Sequence, residues 1–325
     1  MISFQEISMT YKVAKRKQGL TAAMKSLVKR DFAYVEALKN VSFSVNDSEI
    51  IGYIGPNGAG KSTTIKILSG ILVPTSGNCS VFGKRPWDNR IEHVRRIGVV
   101  FGQRSQLMWD IPVIDSFELL RDIYKVAKTT YKKNLDELVE IFNLTQLINT
   151  PVRQLSLGQR MRCEIAASLL HSPKILFLDE PTIGLDAVSK VAVRNFIKRI
   201  NKENGVTVML TTHDMGDIDA LTDRVMLIGK GQILYNGSFA LMKSKYSAAS
   251  IMTVDYDASK EIPLLEHVTL LSCENGRGIL SIDTTKTSVS QVISHLSQHL
   301  TVHNIGIESR PIEEIIAEVY EEFAI

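Results

Sequence analysis

The 325-residue chain carries 38 basic and 35 acidic side chains, and a net charge of +3 gives no argument of its own for nucleic-acid binding. Hydrophobic residues at 44% and charged residues at 22% sit near the globular average, which excludes a disordered or collagen-like chain. Mean hydropathy is +0.03, and no apolar run approaches the ~18–20 residues that cross a bilayer.

The opening residues alternate apolar and polar positions through Ile2, Phe4 and Ile7, which predicts a strand. They lack a charged-then-apolar leader, which predicts a cytoplasmic chain. A basic stretch follows over 12–30, holding Lys12, Lys15, Arg16, Lys17, Lys25, Lys29 and Arg30 with no acid. Within it Leu20, Met24, Leu27 and Val28 fall at helical spacing. That pattern predicts a basic amphipathic helix, either a solvated surface element or a contact for anionic lipid or a membrane subunit.

Strand-like alternation resumes over 37–45, and from there to about 235 short apolar runs alternate with helical patterns, as in an α/β core. The clearest strands are 50–54, 97–101, 175–178, 206–210 and 224–228, the last turning back through Gly229 and Gly231 as a hairpin. The third and fourth are near-continuous apolar runs, as strands buried on both faces should be. Beyond about residue 240 the character changes. Residues 242–250 read as a polar linker, 251–255 and 278–282 as strands, 289–300 as a helix, and 311–320 as an amphipathic closing helix. The expected organisation is a domain over 1–240, with a basic insert at 12–31, and a small α+β accessory domain over 241–325. Cys79, Cys163 and Cys273 are too widely spaced for a disulfide scaffold or a cysteine zinc site, so buried reduced thiols are expected.

Directly after the 50–54 run, Gly55, Asn57, Gly58, Gly60, Lys61, Ser62 and Thr63 fall in the pattern GxxxxGK[ST], and 64–68 continue helically. Such a loop cradles phosphate. Its glycines let successive backbone N–H groups converge on phosphate oxygens, and the helix N-terminus adds partial positive charge. Lys61 supplies a full charge for the β- and γ-phosphates, and the Ser62 hydroxyl is suited to Mg²⁺.

Downstream, the 175–178 run ends in Asp179 and Glu180. The first is placed to hold Mg²⁺ and the second to act as general base on the water that attacks the γ-phosphate. Ser156, within Leu155, Leu157, Gly158 and Gln159, precedes a helical run and is a natural N-cap, a second helix terminus able to bind an anion. Gln103 stands just past the 97–101 strand and His213 just past the 206–210 strand.

In this order, the segments resemble those of the ATP-binding cassette (ABC) ATPases over roughly residues 1–240. The resemblance implies a P-loop cassette, with a mixed-sheet core and a helical signature subdomain. It makes Gln103 the Q-loop residue and a metal ligand beside Ser62 and Asp179, and residues 155–159 the signature. It makes Asp186 the acid of the D-loop and His213 the switch histidine at the γ-phosphate. The family stacks an aromatic ring on adenine; counting back from Lys61 selects Phe32, with Tyr34 and Tyr11 as competitors. The implied cofactors are ATP and Mg²⁺. Two copies of the chain would sandwich two ATP molecules, with Ser156 and Gly158 of one completing the site of the other.

The implied partner is a separate integral membrane permease, with this chain peripheral at the inner face of the cell membrane, powering export of an unidentified substrate. No nucleic-acid partner is implied. The alternative is a soluble ABC ATPase acting on ribosomes or nucleic acid; such proteins commonly carry two cassettes or a long coiled-coil insertion. Two of these motifs depart from the family pattern. Leu157 stands where the signature has glycine, and Ile183, Gly184 and Leu185 replace the serine-alanine form of the D-loop. The latter resembles exporter-type members whose ATPase and membrane proteins are separate chains.

Overall fold

The computed structural model describes residues 1–14, 32–102, 104–212, 214–246, 249–257, 261–309 and 312–323. The basic amphipathic helix expected within 15–31 lies outside them. The chain forms two compact units, Met1–Gly237 and Ser238–Ile325.

In the first unit β1 (Ile2–Ala14) and β2 (Phe32–Val45) form a long antiparallel pair. They run well beyond the stretch in which alternation is visible, because the register shifts on both sides of Ile7. Glu6 and Asn40 take φ of +50° there. Each such bulge moves the buried face by one residue, which erases the period-two signal.

Next come β3 (Ile50–Ile54), α1 (Lys61–Leu68), β4 (Ser76–Val81), α2 (Arg90–Val94) and β5 (Ile97–Phe101). A helical layer follows, of α3 (Val113–Tyr124), α4 (Lys128–Ile141) and α5 (Leu157–Leu169), with α3 and α4 packed on α5. The unit closes with β6 (Ile175–Asp179), α6 (Ala187–Asn204), β7 (Thr207–Thr211), α7 (Met215–Leu221), β8 (Arg224–Gly229) and β9 (Gln232–Ser238).

A three-stranded sheet, ordered β2-β1-β4, is antiparallel. A six-stranded sheet is ordered β5-β6-β7-β3-β8-β9, and its pairs from β5 to β8 are parallel. Lys230 and Gly231 both take positive φ, the signature of a type I′ turn, and join β8 to β9 as the expected hairpin. Strands β6 and β7 are buried on both faces, save for Asp179 at the tip of β6. One core joins both sheets to α1: Phe4 stacks on Phe43 at 4.8 Å, and Tyr53, Ile65, Leu68 and Phe177 belong to the same cluster. The phosphate-loop helix is thereby anchored against the antiparallel sheet as well as its own strand.

The second unit contains α8 (Phe239–Tyr246), β10 (Ala249–Tyr256), β11 (Val268–Glu274), β12 (Arg277–Asp283), α9 (Val289–His299), β13 (Val302–Ser309) and α10 (Ile312–Glu322). Its antiparallel sheet is ordered β11-β12-β10-β13, with Met252, Val254, Leu280 and Ile282 packed against Val292 and Leu296 of α9. The segment expected as a polar linker is instead helical in its first part. Phe239 and Met242 lie one turn apart, both buried, and α8 packs with α10. They sit in a continuous apolar run, 239–242, in which Leu241 is exposed, so no helical spacing declares the buried face from sequence. Strand β11 also escaped the sequence reading, since it buries Val268 and exposes the rest, leaving no alternation.

Cys79 and Cys163 are buried, with burial pushing both thiols up to about 12, whereas Cys273 is exposed, against expectation. Among the described residues no helix is long and apolar enough to cross a membrane.

Candidate functional site

Strand β3 ends between β7 and β8, and its carboxyl end opens into the glycine-rich loop and then α1. Gly60 is the N-cap of α1 with φ +114°; a Cβ there would stand 2.7 Å from the Ala37 carbonyl oxygen and 2.7 Å from Leu38 Cδ2. Only glycine satisfies both the conformation and the space. The first turn of any helix leaves N–H groups without intrahelical partners, and here they belong to the loop-to-helix junction at Lys61, Ser62 and Thr63.

Lys61 is only 7% exposed, and its Nζ donates to the carbonyls of Gly55 (2.5 Å) and Pro56 (3.1 Å), so the ammonium is folded back along the loop. Burial lowers its pKa, opposed by the charges of Glu180 and Asp179. Ser62 Oγ donates to Asp179 Oδ2 at 2.8 Å, and Thr211 Oγ1 donates to Asp179 Oδ1 at 2.5 Å. The strand register makes this possible: Asp179 pairs with Thr211, and Thr211 with Tyr53, so the tips of β6, β7 and β3 stand level. Open α/β sheets bind ligands at such carboxyl ends. The Ser62 hydroxyl and Asp179 carboxylate are hard oxygen donors, the type that Mg²⁺ accepts from a protein when phosphates supply the rest.

Glu180 follows with φ +56°, a left-handed conformation unfavourable for a side chain of this size, and its N–H donates to the Thr211 carbonyl at 2.9 Å. Backbone strain of this kind persists where the surroundings over-determine it, and it concentrates at functional sites. Gly102 donates to the Asp179 carbonyl at 2.9 Å, bringing the end of β5 onto the same tip. Gln103 and His213 themselves lie outside the described residues.

The next residues are held from behind by a buried ion pair. Asp217, fully buried, accepts from Arg194 Nε (2.7 Å), from Thr212 Oγ1 (3.1 Å) and from Thr182 Oγ1. Asp214 takes Lys190, whose hydrogen bond lowers the Asp214 pKa, and also Arg194 at 3.5 Å. The loop after Glu180 and the strand end leading to position 213 are thus tied to α6. Sequence reasoning missed this network and Thr211. An acid in a short helical turn carries no signal until its arginine partner is brought beside it.

The signature forms a second cluster. Ser156 caps α5 in a full capping box, accepting from Gln159 N–H (3.2 Å) while its own N–H donates to Gln159 Oε1 (2.9 Å). A Cβ on Gly158 would stand 3.3 Å from the Gly184 carbonyl oxygen, so the capped turn lies against the loop that ends in Asp186. Asp186 caps α6, accepting from Ser189 Oγ (2.7 Å) and Ser189 N–H (2.8 Å), and these bonds hold its carboxyl below the usual range. On the buried side of α5, Glu164 is 4% exposed, and burial raises its pKa. Its carboxylate accepts from Ser105 Oγ and from Gln106 N–H (3.1 Å), pinning the segment beyond Gly102 to the signature helix.

Of the three aromatic candidates, Tyr11 reaches the phosphate loop, its hydroxyl 3.3 Å from Thr63 Oγ1. Phe32 pairs with Ala14 at the far end of the β1–β2 ladder, with the Lys12 ammonium 4.0 Å over its ring. Tyr34 lies opposite Lys12 and is exposed.

The ABC transporter family model matches residues 38–183. The chain is 30% identical to the bacitracin transport ATP-binding protein BcrA of Bacillus licheniformis, over 84% of this chain and 85% of that one. It is 29% identical to the linearmycin resistance ATP-binding protein LnrL of Bacillus subtilis (strain 168), over 88% of this chain and 93% of that one. Among solved structures it is similar to a dimeric ATP-binding cassette in a post-hydrolysis state bound to ADP and Pi. The TM-score is 0.62 at 26% identity, over 73% of this chain and 98% of that one.

Proposed function

Because this chain belongs to the ABC transporter ATP-binding proteins, we propose that it is the motor of an exporter whose membrane channel is a separate integral permease. Two copies close on two Mg-ATP molecules at the inner face of the membrane. The observation that carries the reading is the hydrogen-bonded line from Ser62 through Asp179 to Thr211, with Lys61 beside it and strained Glu180 at its end.

In this reading the backbone from Gly55 through Asn57, Gly58 and Gly60 to Thr63 wraps the phosphates, and Lys61 turns from its loop carbonyls to the β- and γ-oxygens. Ser62 and Asp179, with Gln103, would hold Mg²⁺, which when bound would supply positive charge to offset the negative charge of the phosphates. Glu180 accepts a proton from water as the water oxygen bonds to the γ-phosphorus and the bond to the leaving ADP oxygen breaks. Ser156 and Gly158 come from the partner copy, offering the dipole of α5 to the γ-phosphate, and Asp186 joins the nucleotide site as the acid of the D-loop. His213 contacts the same phosphate. Binding favours the closed dimer, and loss of the γ-phosphate releases it. The similarity to a bacitracin transport protein and a linearmycin resistance protein supports export rather than a ribosomal or nucleic-acid role.

The test is light scattering on a Glu180→Gln chain with Mg-ATP, where a dimer is expected with ATP and a monomer without. Monomers under both conditions would overturn the reading. For adenine we propose Tyr11 in place of Phe32, on the strength of the Tyr11 hydroxyl at Thr63. Stacked rings are worth about 0.5–1.5 kcal/mol beyond area burial. Tyr11→Ala is therefore expected to weaken ATP binding roughly two- to tenfold in a fluorescent-nucleotide titration. Phe32→Ala should leave it unchanged, and the reverse ranking would return the role to Phe32.

A further inference from the structure

A cleft of about 690 Å³ opens in the first unit at the pole of the parallel sheet opposite the phosphate loop. Arg96 stands immediately before β5, Lys174 immediately before β6 and Gly205 two residues before β7. The cleft thus gathers the amino ends of these strands, whereas the acidic pair lies at the carboxyl end of β6. Asp179 closes the five residues of β6, which at about 3.3 Å each puts roughly 16 Å between it and Lys174. The other walls are the start of β1, the turn ahead of β3 and the end of β4 with Phe82. None of them belongs to the nucleotide site.

The two cations are fixed at their backbones. Lys174 N–H donates to the Arg96 carbonyl at 2.8 Å, and Thr207 N–H to the Lys174 carbonyl at 3.0 Å. Arg96 is held at its side chain as well, its guanidinium carbon 3.7 Å from the centre of the Phe82 ring. Phe82 and Gly83 take φ of +56° and +76°, and Val81 and Lys84 exchange backbone hydrogen bonds of 2.8 and 3.1 Å around them. That closed turn presents the ring. An arginine laid flat on an aromatic face keeps the edge of its fork for a bidentate oxyanion, and has less rotamer freedom left to lose on binding.

The charge of the cleft is unbalanced. Among the described residues neither Arg96 nor Lys174 has an ion-pair partner. Glu92, one helical turn before Arg96, is taken by Lys84 at 3.1 Å. Asp47, the acid on the lining, lies 3.4 Å from the Met1 amino nitrogen. Burial lowers the pKa of neighbouring His93, and the Arg96 charge adds to that effect, as a cation without a counter-ion should. Ser3 and Ser80, cross-strand partners on the lining, bring two hydroxyls with no protein hydrogen bond among the described residues.

We propose that this cleft binds a small phosphomonoester, with its phosphoryl group on Arg96 and Lys174 and its organic body in the remaining space. A phosphoryl group carries about −1.5 to −2 charge at neutral pH, which matches two cations, where a monocarboxylate would leave one unmatched. The volume lies within the roughly 300–1,000 Å³ of small-molecule sites and far exceeds a phosphate alone, so the ligand is an ester rather than the inorganic ion.

The experiment is equilibrium dialysis of radiolabelled inorganic phosphate against the full chain saturated with Mg-AMPPNP, a non-hydrolysable ATP analogue that fills the phosphate positions of the nucleotide site. Saturable retention of a single phosphate per chain is expected, resistant to chloride at equal ionic strength and displaced by glycerol 3-phosphate. Arg96→Gln should weaken retention at least about tenfold, the worth of one charge-assisted hydrogen bond. Lys174→Gln, on a more exposed side chain, should weaken it about threefold. Both variants should keep the wild-type ATPase rate, which shows that the fold is intact. No saturable retention by the wild type, retention that both substitutions leave unchanged, or displacement by chloride would overturn the site. Failure of glycerol 3-phosphate to displace the ion would overturn the ester. The dependence on Arg96 makes the outcome independent of the motor reading.

Discussion

Glu180→Gln is expected to slow ATP hydrolysis about 10²–10⁴-fold, the usual worth of a positioned general base, while ATP stays bound. The substitution keeps the length and shape of the side chain and removes its capacity to take a proton from water. It leaves the backbone bond from the Glu180 N–H to the Thr211 carbonyl in place, and with it the left-handed turn at φ +56°. Fold and nucleotide site should therefore survive, and the loss should fall on kcat, read as phosphate release under saturating Mg-ATP. Turnover within about threefold of wild type, against the 10²–10⁴ expected of a lost base, would remove Glu180 from the role.

Lys61→Ala is expected to act one step earlier, on binding itself. The ammonium is almost wholly buried, held on the Gly55 and Pro56 carbonyls and facing the charges of Glu180 and Asp179. Its removal leaves two carboxylates near the triphosphate without the compensating cation. Hydrogen bonds to charged groups are worth about 1.5–3 kcal/mol each, so ATP affinity should fall roughly 10- to 150-fold. Calorimetric titration at fixed Mg²⁺ measures this directly. Affinity within about twofold of wild type, where one such bond alone is worth roughly tenfold, would count against the phosphate assignment.

The contrast between the two variants separates capture of the nucleotide from chemistry on it. Lys61 feels the charge of Asp179 and Glu180 follows it in the chain, while the Asp179 oxygens are already engaged by Ser62 and Thr211. A shift of β6 against β7 would disturb capture and chemistry together. The buried pair of Asp217 with Arg194 opposes such a shift by holding Thr182 and Thr212, one after each strand end, on a common carboxylate.

Much of this was written locally in the chain. The strands at 50–54 and 97–101 were read to the residue, because their apolar runs are short, buried and bounded by glycine or polar residues. Where burial is one-sided the reading failed. Strand β1 runs on through bulges that break its alternation, β11 buries one residue, and α8 shows one turn of apolar side chain among polar neighbours.

The sequence alone determined the local motifs: a glycine-rich loop between strand and helix, and an acidic pair at a strand end, each compact enough that its residues are neighbours along the chain. It also determined the Ser156 cap, which is confined to a single helical turn. The tertiary structure decided everything that depends on two distant segments meeting. Counting back from Lys61 selected Phe32, which pairs with Ala14 at the far end of the β1–β2 ladder, whereas the aromatic hydroxyl near Thr63 belongs to Tyr11. Leu157 and Gly184 looked like two separate irregularities until packing set one against the other. Motifs are legible because backbone geometry fixes neighbours within a turn or two. Contacts across the fold depend on register, bulges and loop length, and no local pattern records those.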